Sequence, residues 1–589
     1  MLFKGASILL CASVAVAAPN KVRPHLPIVD LGYAVHQATI NTTGNYYNFS
    51  NIRYAQPPVG TLRFSAPISP IGRNQTINNG QQNAICPQIN PLWATSQTPF
   101  IVSYLLGGNT SQYTNSEPSF TPANLSSVPP PAPAVSEDCL FLDVVVPESI
   151  FNSKKGKGKE KGPWDVRCKP GRKCEEEGEG HESNGGAPVM VWIYGGGYTA
   201  GSKMGTENPA GLLARSREGG DEGVIYVAMN YRLGVFGWLA GNENVTANAG
   251  LLDQRLALEW VQENIHLFGG DPSRVTVFGE SAGGGSIMHH ITSYGGKGTV
   301  PFQQAIPQSP GFFLYLPSQN KELFAQVLGN ASSIADRPIR TADELRGLSY
   351  DELYNLNKMM VGLATYGMFT FGPVVDDSPN AYVPDLPGRL ISQGKLHNVP
   401  VLASQNSNEG LLFTPPFIQN QDIYKEFVGG AFPTANDSTI SHIANELYPP
   451  LFNGSEPYST QIQRTALTVA DISFTCNAYW LRSYLTKSYG YLFSVPPGFH
   501  GQDIAYTYFN GDTSTLNAGA SVNATVAMTL QRYLTTFAMK GIPEGIPSYK
   551  SNMTLANVGN TNLGGLVHDP AARSQCDFWI EAPYYVPNS

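Results

Sequence analysis

The stretch "VTVFGESAGGGSIMHH", which begins at Val275, constrains the chain more than any other. A random chain of this composition holds about half a Gly-x-Ser-x-Gly by accident, so the pentapeptide alone is weak evidence. Its surroundings carry the argument. Val275, Val277 and Phe278 form a β-prone run, and the small residues after Ser281 lead into a helix through Ile287 and Met288. A serine on such a strand–turn–helix corner has its hydroxyl pushed out above a sheet, and only glycines at Gly279 and Gly283 let the flanking backbones approach so closely.

Other segments extend the pattern. "VMVWIY" (189–194) and "VIYVAMNY" (224–231) are continuous apolar runs, as expected of strands buried on both faces. In "GLLDQRLALEWVQENIHLFGG" the residues Leu252, Leu256, Ala257, Trp260 and Val261 recur at helical spacing, and Gly269 ends the helix. Alternating strands and helices imply a doubly wound, mostly parallel sheet with helices on both faces and ligands at the strands' carboxyl ends. The 589 residues are 42% hydrophobic, enough for a large core. A charged share of 14% and a net charge of −8 exclude a basic nucleic-acid surface.

Residues 1–17 read as a secretory signal: Lys4, an apolar run, then small residues at Ala15 and Ala17. Residues 18–589 are then one exported domain. Eleven Asn-x-Ser/Thr sequons, at Asn41, Asn48, Asn74, Asn109, Asn124, Asn244, Asn330, Asn436, Asn453, Asn523 and Asn552, agree with export, as do the six cysteines left once Cys11 is removed. The segment 152–186, a basic block followed by an acidic one, reads as a disordered surface insertion that could close a small loop through Cys168 and Cys174. The segment 86–139, rich in Pro, Ser and Asn, is no regular sheet element. It holds an apolar cluster, Trp93, Phe100, Ile101, Val102, Tyr104, Leu105 and Leu106, expected to face a substrate entrance or a lipid surface, with packing onto the core as the alternative.

A serine hydroxyl needs a base, an acid that orients the base, and donors for an oxyanion. The corner at Ser281 is similar to that of α/β-hydrolases, in which the acid and then the histidine follow the serine along the chain. That order leaves His442, His500 and His568. His500, in "PPGFHGQDI" after an apolar strand, lies between Gly498 and Gly501 in a loop that frees its imidazole. For the acid, Glu409 follows a strand at 399–403, with Asp376 and Asp377 as competitors. Gly195, Gly196 and Gly197 directly follow a strand and can aim backbone N–H groups into a cavity. No Gly-Lys-Ser/Thr follows them, and neither His-Glu-x-x-His nor metal-spaced cysteines occur, so neither metal nor cofactor is expected.

Together these residues resemble the type-B carboxylesterase/lipase family, from about Leu31 to the C-terminus. "SEDCLFLDVVVP", "NYRLGVFGWL", "NAGLLDQRLALEWVQENIHLFGGDPSRV" and "VFGESAGGGSIMHH" carry the likeness, and "FQQAIPQSPGFF" looks like secreted fungal members. The resemblance implies an α/β-hydrolase fold, with Ser281 as nucleophile, Glu409 as acid, His500 as base, and Gly196, Gly197 and Ala282 as oxyanion donors. It pairs Cys86 with Cys139 around a flap, and Cys476 with Cys576. It makes "YGMFTFGPVVDD" an acyl-pocket segment with Phe369 as a wall, and Trp93 is a further candidate for contact with substrate. Tyr194 departs from the histidine that often precedes the glycines, and Asn408 from the aspartate that often precedes the acid. The expected activity is hydrolysis of carboxylic esters with apolar acyl or alcohol groups. A dedicated lipase or sterol esterase, and a non-catalytic binding protein, are the alternatives. Small-molecule or lipid esters, with transient lipid-surface contact, are the expected partners.

Overall fold

The computed structural model describes residues 26–585, apart from 82, 116, 117, 119, 154–184, 204, 206, 314, 512–515, 518 and 519. The expected signal peptide, Cys168, Cys174 and nearly all of the expected insertion lie outside the described residues.

The strands of the main sheet are β1 (Thr39–Asn41), β2 (Tyr46–Arg53), β3 (Phe141–Pro147), β4 (Ala187–Ile193), β5 (Ile225–Met229), β6 (Gly270–Glu280), β7 (Gln304–Gln308), β8 (Val401–Asn406), β9 (Ser488–Phe493), β10 (Thr554–Val558) and β11 (Leu566–His568). They lie side by side in the order β11-β10-β9-β8-β7-β6-β4-β5-β3-β2-β1. From β10 to β5 neighbouring strands are parallel, while the pairs at either side are antiparallel. Every residue of β4, β5 and β8 is buried, which is why β4 and β5 read as unbroken apolar runs. At the edges β1 and β11 are three residues each and partly exposed, so the sheet offers little edge for another chain to pair with.

β8 begins and ends later than the expected 399–403. Pro400 has no N–H for the ladder, and the polar residues Gln405 and Asn406 stay in the strand because partners await them inside. Arg482 donates to Gln405 Oε1 at 2.8 Å, and Asn406 Nδ2 donates to the Phe499 carbonyl at 2.7 Å.

Three helices position the site: α1 (Trp93–Leu105), α2 (Ala249–Asn264) and α3 (Ala282–Ile291). After α2 the chain tightens into a short 3₁₀ turn and stops at Gly269, whose φ of +92° suits glycine. β5 lies on one side of β4 and β6 on the other, so the chain reverses its direction of winding there. The two chain crossings diverge and leave a crevice at the carboxyl ends of β4 and β6.

Cys86 is bonded to Cys139 and Cys476 to Cys576, with Cα separations of 5.0 and 5.1 Å. Inside the first of these loops, the expected apolar cluster divides between two environments. Trp93, Phe100 and Ile101 are buried on one face of α1, and Phe100 packs with Leu411 and Phe499. Val102, Leu105 and Leu106 are exposed, Leu106 by 81%. Half of the cluster is therefore core, because a 13-residue helix amid this segment gives the cluster an inner and an outer face.

Candidate active site

Ser281 occupies the one-residue corner between β6 and α3, with φ +58° and ψ −123°. Such a conformation costs a non-glycine residue about 1–3 kcal/mol, and the surroundings hold it there. Ser281 N donates to the Gln308 carbonyl at 3.1 Å, and Gly311 N donates to the Ser281 carbonyl at 2.9 Å. The flanking glycines are dictated by space: a Cβ on Gly279 or on Gly283 would run into the Ile193 carbonyl oxygen at the end of β4.

His500 projects from the loop after β9. Asn408 N donates to the Gly498 carbonyl at 2.8 Å, tying that loop to the one after β8 that carries Glu409. The result is a continuous chain of hydrogen bonds: His500 Nε2 lies 2.7 Å from Ser281 Oγ, and His500 Nδ1 lies 2.6 Å from Glu409 Oε2. Glu409 is 1% exposed, and its other oxygen accepts the Asn406 N–H at 2.5 Å. The ring of Phe474 lies 4.1 Å from the imidazole, centroid to centroid, and that of Phe413 lies 5.2 Å away.

The competing residues are engaged elsewhere. Asp376 caps the turn at Ser378, accepting from its N–H at 3.0 Å and from its hydroxyl at 2.8 Å. His442 is exposed beside Glu446 at 3.0 Å, and His568 Nδ1 lies 3.1 Å from the Asp569 carbonyl oxygen.

Gly196 and Gly197 follow β4 with φ of +96° and +62°. Ala282 opens α3, where a helix leaves its first N–H groups without partners inside the helix. A side chain on Gly196 would strike the Ala200 carbonyl, and one on Gly197 would strike the ring of Phe369. Gly197, Ser281 and Ala282 border one small chamber, walled by Tyr198, Phe312, Phe313, Tyr315, Phe369 and Phe371 among others. Phe369 lines the chamber that holds Ser281, and Trp93 does not border it. Trp93 stands behind Phe369, ring centroids 5.6 Å apart, and donates from Nε1 to the Met368 carbonyl at 2.7 Å. Its apolar surface is spent on supporting the wall, so the expected contact with substrate is corrected to a buttress. Tyr194, the departure before the glycines, stacks on Tyr231 at 4.3 Å and is buried.

Sequence reasoning passed over Glu280 and Asp503, both buried and both close to the imidazole. Glu280 Oε1 lies 3.4 Å from His500 Nε2. Asp503 accepts from Gln308 Nε2 at 3.1 Å and from Asn406 Nδ2 at 3.2 Å. The available sign was a carboxylate placed in register with the apolar residues of β6, directly before Ser281.

Burial alone would depress the His500 pKa, but Glu280, Glu409 and Asp503 outweigh it and hold it up at about 9. Asp503 is pushed up to about 6, by burial first and by the charge of Glu409 second. Glu280 is driven well above the carboxylate range by burial, so it carries a proton near neutrality and its pull on His500 is withdrawn. Glu409 and Asp503 remain to hold the His500 pKa up against burial. If His500 serves as base to Ser281, a neutral imidazole is needed, so activity is expected to rise as pH rises through this pKa and to be lost below it. Glu280→Gln, which keeps the shape and removes only the ionisable group, is expected to leave the acid limb of the kcat/KM profile in place. A limb that moves to lower pH would show that Glu280 is ionised in the working enzyme.

A family model described as the carboxylesterase family matches residues 34–579. The chain belongs to the carboxylesterase family. Carboxylesterase patB of Aspergillus clavatus is 40% identical over 595 residues, covering 98% of this chain and 99% of that protein. Lipase 1 of Geotrichum candidum is 30% identical, over 79% of this carboxylesterase-family chain and 81% of its own. Among solved structures, EstA of Aspergillus niger superposes with a TM-score of 0.71 at 24% identity, covering 95% of this chain and 99% of that one. That likeness establishes the α/β-hydrolase fold, with helices on both sides of a mixed sheet.

Proposed function

We propose that this member of the carboxylesterase family is a secreted serine hydrolase that cleaves carboxylic esters through an acyl-enzyme. The observation that carries the reading is the unbroken hydrogen-bond chain from Ser281 through His500 to Glu409, at 2.7 and 2.6 Å. On this reading, His500 Nε2 takes the Ser281 proton as Oγ attacks the ester carbonyl carbon. The carbonyl oxygen becomes an oxyanion held by the N–H groups of Gly196, Gly197 and Ala282, each contributing about 3 kcal/mol in the transition state. When the tetrahedral adduct collapses, the C–O bond to the alcohol breaks and the alcohol leaves with the proton from His500. Water then repeats the sequence and frees the acid. Glu409 accepts from Nδ1 throughout, which fixes the tautomer and stabilises the imidazolium.

Export is supported by the N-terminal sequence, the two disulfides and the sequons, nine of whose eleven asparagines are exposed while Asn48 and Asn330 are half-buried. The non-catalytic alternative has no use for a nucleophile and base held in contact. The lipase alternative is favoured by the exposed strip Val102, Leu105 and Leu106.

One experiment tests the proposal: treat the secreted protein with a phosphonate serine probe, map the adduct, and assay p-nitrophenyl esters in solution and as an emulsion. The adduct is expected on Ser281 with parallel loss of turnover. A label elsewhere, or turnover that survives full labelling of Ser281, sinks the mechanism. A rate that rises at the emulsion surface supports the lipase alternative.

A further inference from the structure

The chamber beside Ser281 has a free volume of about 20 Å³, room for roughly one water molecule. It does not stand alone. Phe313 and Phe413 are shared with a second, connecting cavity, and that cavity shares Tyr366, Met368 and Phe427 with an outer cleft of 1130 Å³. Tyr315 borders both the innermost chamber and the outer cleft. The two ends of this path differ in chemistry as well as size. The chamber is almost wholly aromatic, whereas the cleft carries the amides of Gln319, Gln326 and Asn420 and the carboxylates of Glu322 and Glu426, with no Lys, Arg or His among the described residues that line it.

A second observation lies along the path. The hydroxyls of Tyr315 and Tyr366 are buried and find no hydrogen-bond partner among the described residues. Tyr366 is 5% exposed, with its ring held between Trp93 at 5.4 Å and Phe417 at 6.0 Å. Buried hydroxyls are nearly always satisfied in folded proteins, so two orphans on one route to one serine call for a common partner.

Resting on the ester-hydrolase reading above, we propose that Tyr315 and Tyr366 recognise the alcohol half of the substrate, an ester that joins a short apolar acyl group to a bulky, oxygen-bearing alcohol without negative charge. The alcohol leaves first and needs the open route, which puts it in the cleft and the acyl group in the chamber. A chamber of this size favours the smallest acyl groups, acetyl above all, over longer ones. The phenols supply directional hydrogen bonds to oxygens on the alcohol, and Glu322 and Glu426 disfavour an anionic one.

The test uses the full-length secreted protein and two acetates of similar shape, methyl 6-O-acetylglucoside and cyclohexylmethyl acetate, with p-nitrophenyl acetate and dodecanoate for acyl length. A site built to hydrogen-bond an oxygen rejects the analogue that lacks it, so wild-type kcat/KM is expected to favour the sugar ester about tenfold or more. Tyr366→Phe and Tyr315→Phe are each expected to cut that ratio about fivefold, chiefly through KM. Neither variant should lower Tm, because the deleted hydroxyl has no partner among the described residues. An unchanged ratio in both variants, a fall in Tm, or faster hydrolysis of the dodecanoate than of the acetate overturns the proposal. Any of these with p-nitrophenyl acetate still turned over leaves ester hydrolysis standing. Absence of all turnover, with Ser281 unlabelled by the phosphonate, would sink both.

Discussion

Ser281→Ala is expected to lower kcat for p-nitrophenyl acetate by about five to six orders of magnitude, and His500→Ala by a similar factor. The two side chains act as one device. Without Oγ there is no atom to carry the acyl group, and without the imidazole the hydroxyl keeps its proton. The double variant should therefore be hardly worse than either single one. Folding has little stake in the Ser281 hydroxyl: Oγ is engaged by His500 alone among the described residues, and one such bond contributes about 1 kcal/mol to stability. Circular dichroism and Tm of secreted Ser281→Ala protein should match wild type. Appreciable hydrolysis by that protein, free of contaminating esterase, would place the nucleophile elsewhere.

Glu409→Gln should cost about four orders of magnitude in kcat, with a smaller change in KM. The amide has nearly the same shape but cannot bear charge. Its NH₂ group can also donate to Nδ1, which moves the imidazole proton to Nε2 and removes the acceptor that Ser281 needs. Burial magnifies the loss, since no water is at hand to stabilise the imidazolium instead. Asp376→Asn serves as the comparison and should stay within about twofold of wild type, because its oxygens hold the Ser378 turn. A dead Asp376→Asn beside an active Glu409→Gln would reverse the assignment of the acid.

The corner at Ser281 and the buried strands on either side of it were open to reading because their constraints are local. Close approach demands glycine, and a strand covered on both faces demands an unbroken apolar run. Glu409 was harder, since carboxylates in polar loops are common, and only the fold shows that this one is buried against His500. Glu280 was missed for a related reason: it lies 220 residues from His500 along the chain and meets its imidazole only in the fold, while Asp503, three residues beyond His500, gains its place through buried partners on β7 and β8, Gln308 and Asn406. The flap cluster misled in part because composition gives apolar content without direction. Only the helical phase of α1 separates Phe100, which packs inward, from Leu105, which does not. Trp93 shows the same limit, being near the site in space yet one layer behind it.

The contact of the Ile193 carbonyl with Gly279 and Gly283 bears on how such a protein can change over generations. The strand that ends in the proposed oxyanion loop and the corner that holds the proposed nucleophile are wedged together through main-chain atoms, so neither can drift without the other. The chamber walls are of another kind. Phe313, Tyr315, Phe369 and Phe413 come from segments beyond the ends of the sheet strands and meet the chamber through side chains. Selection can exchange those rings one at a time and alter what is accepted, while the reacting groups stay in place. Diversification in this lineage is therefore channelled toward new substrates and away from new chemistry.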